Sequence, residues 1–277
     1  MDRPRPSCSR SAAAALVAVV ASALALVLTG CGGSSGTATA ALRRPAPPFT
    51  LMQMNLCLSG VAGCYAKVQY PDVLTEAVTR IRQLRPDAVT FNEACGGDVA
   101  RIAQQTGYHA RFSSIIYYGK PLACIRPRGR GLFGDAVLTR AAIVHGVSHP
   151  FSSEAGPEQR QWVCVTSRAG VEVCTAHLAS HEPIEARANA PQCAALRALL
   201  ARHGSARAVI FGGDVNRLAS CAPKGFWTRS DVSARQDPGS QQVYGSAALR
   251  LPSVRIVPAV HTDHDVLLVR AELAAPR

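Results

Sequence analysis

The segment WVCVTSRAGVEVC, residues 162–174, constrains the fold more tightly than any other. Two apolar stretches flank Arg168-Ala169-Gly170, a three-residue hairpin loop whose glycine can take the left-handed position. That register sets Ser167 opposite Val171 and therefore Cys164 opposite Cys174. Facing Cβ atoms across a strand pair lie close to disulfide range. The segment thus predicts a two-stranded ribbon closed by a covalent bond, in a compartment where thiols are oxidised.

The start of the chain agrees. A short basic stretch, MDRPRPSCSR, precedes the uninterrupted apolar run of residues 11–28, which ends in TGCGGSSG. A positive segment, an apolar core and small residues at its end are the parts of a secretory signal. Leu28-Thr29-Gly30-Cys31 resembles the lipobox of bacterial lipoproteins, which implies a signal over residues 1–30 and a lipid on Cys31. An uncleaved anchor helix is the other reading of the run, and both put the rest of the chain outside the cytoplasm. Of ten cysteines, Cys8 lies in the signal and Cys31 at its end, which leaves an even set of eight. Eight cysteines allow 105 pairings, so only the Cys164–Cys174 pair is argued from register. A zinc site would want clustered C-x-x-C spacing that the chain lacks.

A linker covers residues 31–48 and a single domain residues 49–277, about 230 residues. The chain carries a formal charge of +12, and removing three Arg and one Asp with residues 1–30 leaves +10. Such a surface attracts polyanions, although few lysines and many arginines give the same balance without a partner. FTLMQMNLCL alternates as a strand does, and YPDVLTEAVTRIRQLRPD repeats apolar positions at helical spacing, with Asp72 as cap and Pro86 as stop. AVTFNEA reads as a strand, GGDVARIAQQTG as a helix ended by Gly107, and GDAVLTRAAIVHG as strand and turn. EARANAPQCAALRALLARHG is a helix, and ARAVIFGGDVN and VLLVRAEL are strands. The mixture predicts an α/β or α+β domain of sheets with helices outside.

Polar groups recur at the strand ends: Asn55, Glu93, His177, Asp214 with Asn216, and Asp263 with His264. Each alone suits an ordinary turn. Together, acids, amides and imidazoles at a sheet edge are what metal-assisted attack on a phosphate requires.

In chain order, MNL, FNEA, GDAVLTR, TAHL, GGDVN and TDH resemble the motifs of the endonuclease/exonuclease/phosphatase superfamily over residues 50–273. That superfamily includes pancreatic-type deoxyribonucleases, abasic-site endonucleases, neutral sphingomyelinases and inositol polyphosphate 5-phosphatases. The resemblance implies a four-layer sandwich, two facing β-sheets flanked by helices. It makes Glu93 the principal ligand of Mg²⁺ or Mn²⁺, with Asn55 and Asp263 near the metal. Asp214 and Asn216 would orient the nucleophile and contact the phosphate, His177 would stabilise phosphoryl oxygens, and His264 would act as base on water.

The pattern departs from the superfamily in places. Asp135, Asn92 and Thr262 stand where Asn, Gln and Ser are usual. SQQVYGSAALRL holds no acid where the superfamily orients its catalytic histidine, leaving Asp231, Asp237 or Asp265 to substitute. Two functions stay open: an exported, lipid-anchored, metal-dependent phosphoesterase working as a monomer, and a binding lipoprotein that keeps the fold. The substrate class is nucleic acid or a phospholipid head group; Tyr117 and Tyr118 sit within basic residues in RFSSIIYYGKPLACIRPRGRG, an arrangement suited to stacking on bases. Replacement of Cys31 by Ala should abolish incorporation of labelled lipid in a bacterial host, whereas persistent labelling would rule out the lipobox.

Overall fold

Strands that alternate in sequence bury two different faces here. In β1 (Pro48–Asn55), Phe49, Leu51 and Gln53 point one way and Met52 and Met54 the other, and all five are at most 2% exposed. The same division runs through β2 (Ala88–Cys95), lapses in β3 (His109–Ser114) and the short β4 (Ile116–Tyr117) and β5 (Lys120–Pro121), which fully bury no apolar side chain, and returns in β6 (Phe133–Thr139). The chain continues through β7 (Ile143–Pro150), β8 (Glu158–Gln159), β9 (Gln161–Ser167), β10 (Val171–Ala176), β11 (Ala208–Asp214), β12 (Trp227–Ser230), β13 (Gln241–Gly245), β14 (Leu249–Val257) and β15 (Val266–Leu273). This computed structural model describes residues 48–274 apart from residue 155; the leader, Cys31 and the linker up to residue 47 lie outside the described residues.

Two six-stranded sheets result, in the orders β14-β15-β1-β2-β6-β3 and β12-β13-β11-β10-β9-β7. A three-stranded sheet, β5-β4-β8, stands apart from them. Helices α1 (Asp72–Leu84) and α2 (Gly96–Thr106) pack on the first sheet through Val73, Ala77, Ile81, Val99 and Ile102 against Met52, Met54, Val89 and Phe91. Helix α3 (Ala186–Gly204) packs on the second through Leu196, Leu199 and Leu200 against Val209 and Phe211. The order of layers is therefore helix, sheet, sheet, helix. Among the described residues no helix is long and apolar enough to cross a membrane.

Local details follow from residue type. Helix α1 begins at Asp72 itself, after Pro71, with an acid in the first turn where the helix dipole favours it. Gly107 ends α2 with φ 75°, a left-handed cap that glycine adopts without strain. The first strand stops at Asn55, short of the expected end, because Cys57 turns into the left-handed region at φ 45°. In the hairpin β9–β10, Cys164 pairs with Cys174 in register and the two are bonded. Three further bonds join Cys57 to Cys64, Cys95 to Cys124 and Cys193 to Cys221.

The layer between the sheets changes character along its length, and this positions the site. One end is apolar: Phe49, Leu51, Ala88, Val137, Val173 and Ile210. The same strand faces then continue into Gln53, Asn92, Asp135, Thr175 and Asp214, each at most 3% exposed. Gly212 sits between the two halves, where a Cβ would meet Thr90 Oγ1 at 2.7 Å and Leu51 Cδ2 at 2.8 Å, so the sheets approach closely only with glycine there. Asn92 joins the sheets. Its Oδ1 accepts from the backbone N–H of Asp214 at 2.8 Å, and its Nδ2 donates to Asp135 Oδ1 at 2.9 Å and Thr175 Oγ1 at 3.3 Å. Substituting Ala for Asn92 leaves several buried groups unpaired, each worth about 1–3 kcal/mol. Urea unfolding should therefore register a loss of at least about 2 kcal/mol, and an unchanged midpoint would show that the bridge carries no stability.

Candidate active site

Strand ends from both sheets deliver the polar groups to one cleft of ≈ 760 Å³, lined among others by Glu93, Asp135, His177, Asp214, Asn216 and His264. Glu93 reaches it by a backbone irregularity. The β2–β6 register shifts between Phe91 and Ala94, and Glu93 has φ 53°. Such a bulge re-aims one side chain. Without it, alternation would turn Glu93 towards the helices with Phe91.

Asn55 links the two sheets at the floor of the site. Its Nδ2 donates to Glu93 Oε1 at 2.9 Å and to Asp214 Oδ2 at 3.0 Å, while its Oδ1 accepts from the backbone N–H of Cys57 at 3.0 Å. Asn216, at φ 50°, folds back so that its N–H donates to Asp214 Oδ1 at 3.1 Å. Its side-chain nitrogen donates to Leu178 O and faces His177 Nε2, both at 2.9 Å. That contact makes Nε2 of His177 an acceptor and places the ring proton on Nδ1. His177 Nδ1 lies 3.9 Å from Glu93 Oε1, and its Nε2 lies 3.8 Å from Asp214 Oδ2.

On the other side, His264 Nε2 stands 3.8 Å from Asp214 Oδ2, 3.8 Å from Asp237 Oδ2 and 4.0 Å from Asp263 Oδ1. The buried Nδ1 of His264 has no hydrogen-bond partner among the described residues. Of the three acids left to orient it, Asp265 is engaged by the N–H groups of Ala259 and Arg235, at 3.0 and 3.1 Å. Asp231 accepts from the N–H groups of Gly239 and Gln241 and from Gln241 Nε2. Asp237 alone comes within 4.0 Å, and it faces Nε2. Strand β13 carries neutral Gln241 opposite Asp214.

Burial and crowding set the charges. Burial pushes the Glu93 carboxyl up to about 7, partly offset by the Asn55 amide and His264, with Asp263 and Asp214 adding to the rise. Burial and then Arg160 push His177 down to about 3, so it is neutral at physiological pH. Burial opposes charge on His264, but Asp214, Asp263, Glu93 and Asp237 together hold it above the usual imidazole value. Asp214 is buried too, yet the imidazoles and the Asn55 amide keep it below the usual carboxylate range. Among the described residues, Glu93, Asp214 and Asp263 have no Lys or Arg within ion-pair distance. Crowded oxygen donors without a cation fit a hard divalent ion, which binds through one or two carboxylates and water.

Two features escaped the sequence reading. Arg160, 8% exposed, lines the cleft and pairs with Glu158 at 2.7 Å and Glu185 at 3.1 Å. Its only signal was a lone Arg before an apolar strand. The disulfide sulfur of Cys64 lies 3.6 Å from Glu93 Oε2, which no spacing predicted. The aromatic-basic segment divides. Tyr117 and Tyr118 line the cleft and Tyr118 is 74% exposed, whereas Arg130 is buried, donating to Asp98 at 2.8 Å and lying over the Tyr70 ring. Arg130 therefore ties loops together and is withdrawn from any substrate.

The family model described as "Endonuclease/Exonuclease/phosphatase family" matches residues 62–264. No curated protein matches the chain by sequence. Solved structures match the fold. An endonuclease/exonuclease/phosphatase from Beutenbergia cavernae is 19% identical with TM-score 0.60, over 84% of this chain and 72% of that one. The human Nocturnin catalytic domain with bound sulfate is 15% identical with TM-score 0.62, over 84% and 95%. TDP2 from D. rerio, complexed with single strand DNA product, is 12% identical with TM-score 0.59, over 81% and 99%.

Asp135 offers a test of the site's electrostatics. Burial raises its carboxyl from 3.8 to about 7, and its Oδ2 has no hydrogen-bond partner among the described residues. An acid whose folded pKa exceeds its unfolded one destabilises progressively as pH rises between the two values. Asp135→Asn should thus gain stability over the parent as pH climbs from 4 to 7 and hold that gain above. Denaturant unfolding of both proteins in EDTA at the two ends of the range checks this; a pH-independent difference would refute it.

Proposed function

The chain belongs to the endonuclease/exonuclease/phosphatase family, and from that premise we propose an exported, membrane-anchored phosphoesterase that works with Mg²⁺ or Mn²⁺ and uses His264 as base. Membership makes it a metal-dependent hydrolase of phosphate esters. The observation that carries the finer reading is the convergence on Asn55, whose one amide touches both Glu93 and Asp214 while two imidazoles face the same acids.

In this reading Glu93 would hold the cation, with Asp263 and Asn55 as the neighbouring oxygen-bearing groups. When bound, the cation supplies positive charge to the phosphoryl oxygens and to the leaving group. The rest is the work of the chain's own groups. His177, neutral and with its proton on Nδ1, donates a hydrogen bond to a phosphoryl oxygen. Asp214 and Asn216 are fixed to each other and orient the attacking water. Neutral His264 then takes the water's proton, so the rate rises with pH as the imidazole loses its own proton.

The substrate is a phosphate ester of nucleic acid or of a phospholipid head group. Nocturnin holds sulfate and TDP2 a single strand DNA product, which supports a phosphate site here. Exposed Tyr118 beside Tyr117 at the mouth suits the stacking of a base. A lipid on Cys31 would keep the domain at the membrane surface, and the four disulfides accord with an oxidising compartment.

The full chain in detergent, incubated with plasmid, single-stranded oligonucleotide, sphingomyelin and inositol phosphates, should cleave one class. EDTA should stop the reaction and Mg²⁺ or Mn²⁺ restore it; inertness towards all four with metal present would defeat the reading. Two variants separate the roles. Glu93→Gln removes a charged ligand, so extra metal should partly restore its rate. His264→Ala should stay slow by roughly 10²–10⁴-fold at any metal concentration. Equal rescue of the two would contradict the assignment.

A further inference from the structure

We propose that the Cys57–Cys64 disulfide is a positioning element of the active site and the point at which thiol reductants act on it. The proposal rests on reading Glu93 as a metal ligand. The loop closed by this bond touches both Asn55 and Glu93. Cys57 N–H donates to Asn55 Oδ1 at 3.0 Å, Leu58 N–H donates to Glu93 O at 2.8 Å, and the Cys64 sulfur rests against Glu93 Oε2 at 3.6 Å. A disulfide sulfur has no proton to give, so it acts here as a wall that limits where the carboxylate can turn.

Apart from the hydrogen bonds that the Tyr65 hydroxyl donates to Arg126 O and that Ile125 N–H donates to Ser59 O, little else holds the outer half of the loop. Val61, Ala62 and Gly63 are exposed, and the 3₁₀ turn Gly63–Lys67 buries no residue. Ser59 Oγ accepts from the N–H groups of Val61 and Ala62, which shapes the turn locally. Cys57 at φ 45° and Glu93 at φ 53° both hold a left-handed conformation unfavourable for their types. Such geometry persists only where surrounding structure enforces it, and the bond is a direct constraint on the first.

Accessibility singles out the same bond. Seven of the eight paired cysteines are at most 3% exposed, whereas Cys64 is only partly buried and lines the active-site cleft. Exchange requires a thiolate to reach a sulfur. A thiolate entering the cleft attacks Cys64 Sγ, the S–S bond breaks, and the electron pair leaves on Cys57 Sγ, which takes a proton. A second thiol resolves the mixed disulfide, so one protein disulfide and two RSH become two protein thiols and one RSSR. The three remaining disulfides and the apolar layers are untouched, so the domain stays folded while Asn55 and Glu93 lose their fixed geometry.

The test uses the full chain in detergent, graded with a small thiol reductant under native conditions, then alkylated and mapped by mass spectrometry. Cys57 and Cys64 should be the first pair labelled. Mn²⁺ affinity, read by electron paramagnetic resonance, should fall by about 10–100-fold, the range for removing groups that orient a metal ligand, with circular dichroism unchanged. Cys57→Ser/Cys64→Ser should reproduce the fall, raise the metal concentration for half-maximal rate, and recover kcat at saturating metal. Cys193→Ser/Cys221→Ser, a bond between α3 and the segment after Asn216, should bind Mn²⁺ as the parent does. If another pair opens first, or if the opened protein binds Mn²⁺ within about twofold of the parent, the proposal is overturned. Failure of the fully oxidised parent to bind Mn²⁺ would overturn the metal reading beneath it, a result distinct from either because pair opening is scored without metal.

Discussion

The bridge from Asn92 to the backbone of Asp214 is the interaction on which the site depends. Two β-sheets packed through aliphatic side chains can slide, since apolar contact is non-directional. A buried amide that accepts from one sheet and donates to Asp135 and Thr175 fixes their relative register. It is satisfied only in one arrangement, and a buried polar group left unpaired is expensive. Asn55 repeats the device one layer further out, with carboxylates of both sheets on one amide.

This division of the inter-sheet layer explains why chemistry and stability do not compete for the same residues. The apolar half, from Phe49 to Ile210, supplies the burial that holds the sheets together. Its polar half is affordable because that layer is already paid for in register, and its carboxylates remain short of positive charge. Glu93 and Asp135 both sit near 7, and His177 is driven neutral. A cavity that holds Glu93 and Asp214 away from Lys and Arg is preorganised for a cation, since among the described residues no Lys or Arg paired to these two acids must be displaced.

The missing orienting acid shows where a motif stops being informative. The sequence offered Asp231, Asp237 and Asp265 as equals. In space, Asp231 and Asp265 are committed to backbone N–H groups, and only Asp237 stands near His264, on the side of Nε2. Which acid faces an imidazole depends on loop closure between elements far apart in the chain, and no local spacing encodes that.

Local pattern determined a good deal by itself. Alternation in β1 and β2, the helical spacing of Val73 to Ile81, the left-handed Gly107, and the register that pairs Cys164 with Cys174 are all short-range, because they follow from backbone periodicity and from glycine's freedom. The six motifs in order named the residues that meet in the cleft. Tertiary structure alone decided how they meet. A bulge turned Glu93 inward, Arg130 was withdrawn as a staple, buried Arg160 joined the cleft, and Cys64 came to lie against the carboxylate. These are long-range outcomes, fixed by which faces the two sheets could bury together and by the few buried polar groups that must find partners once they do.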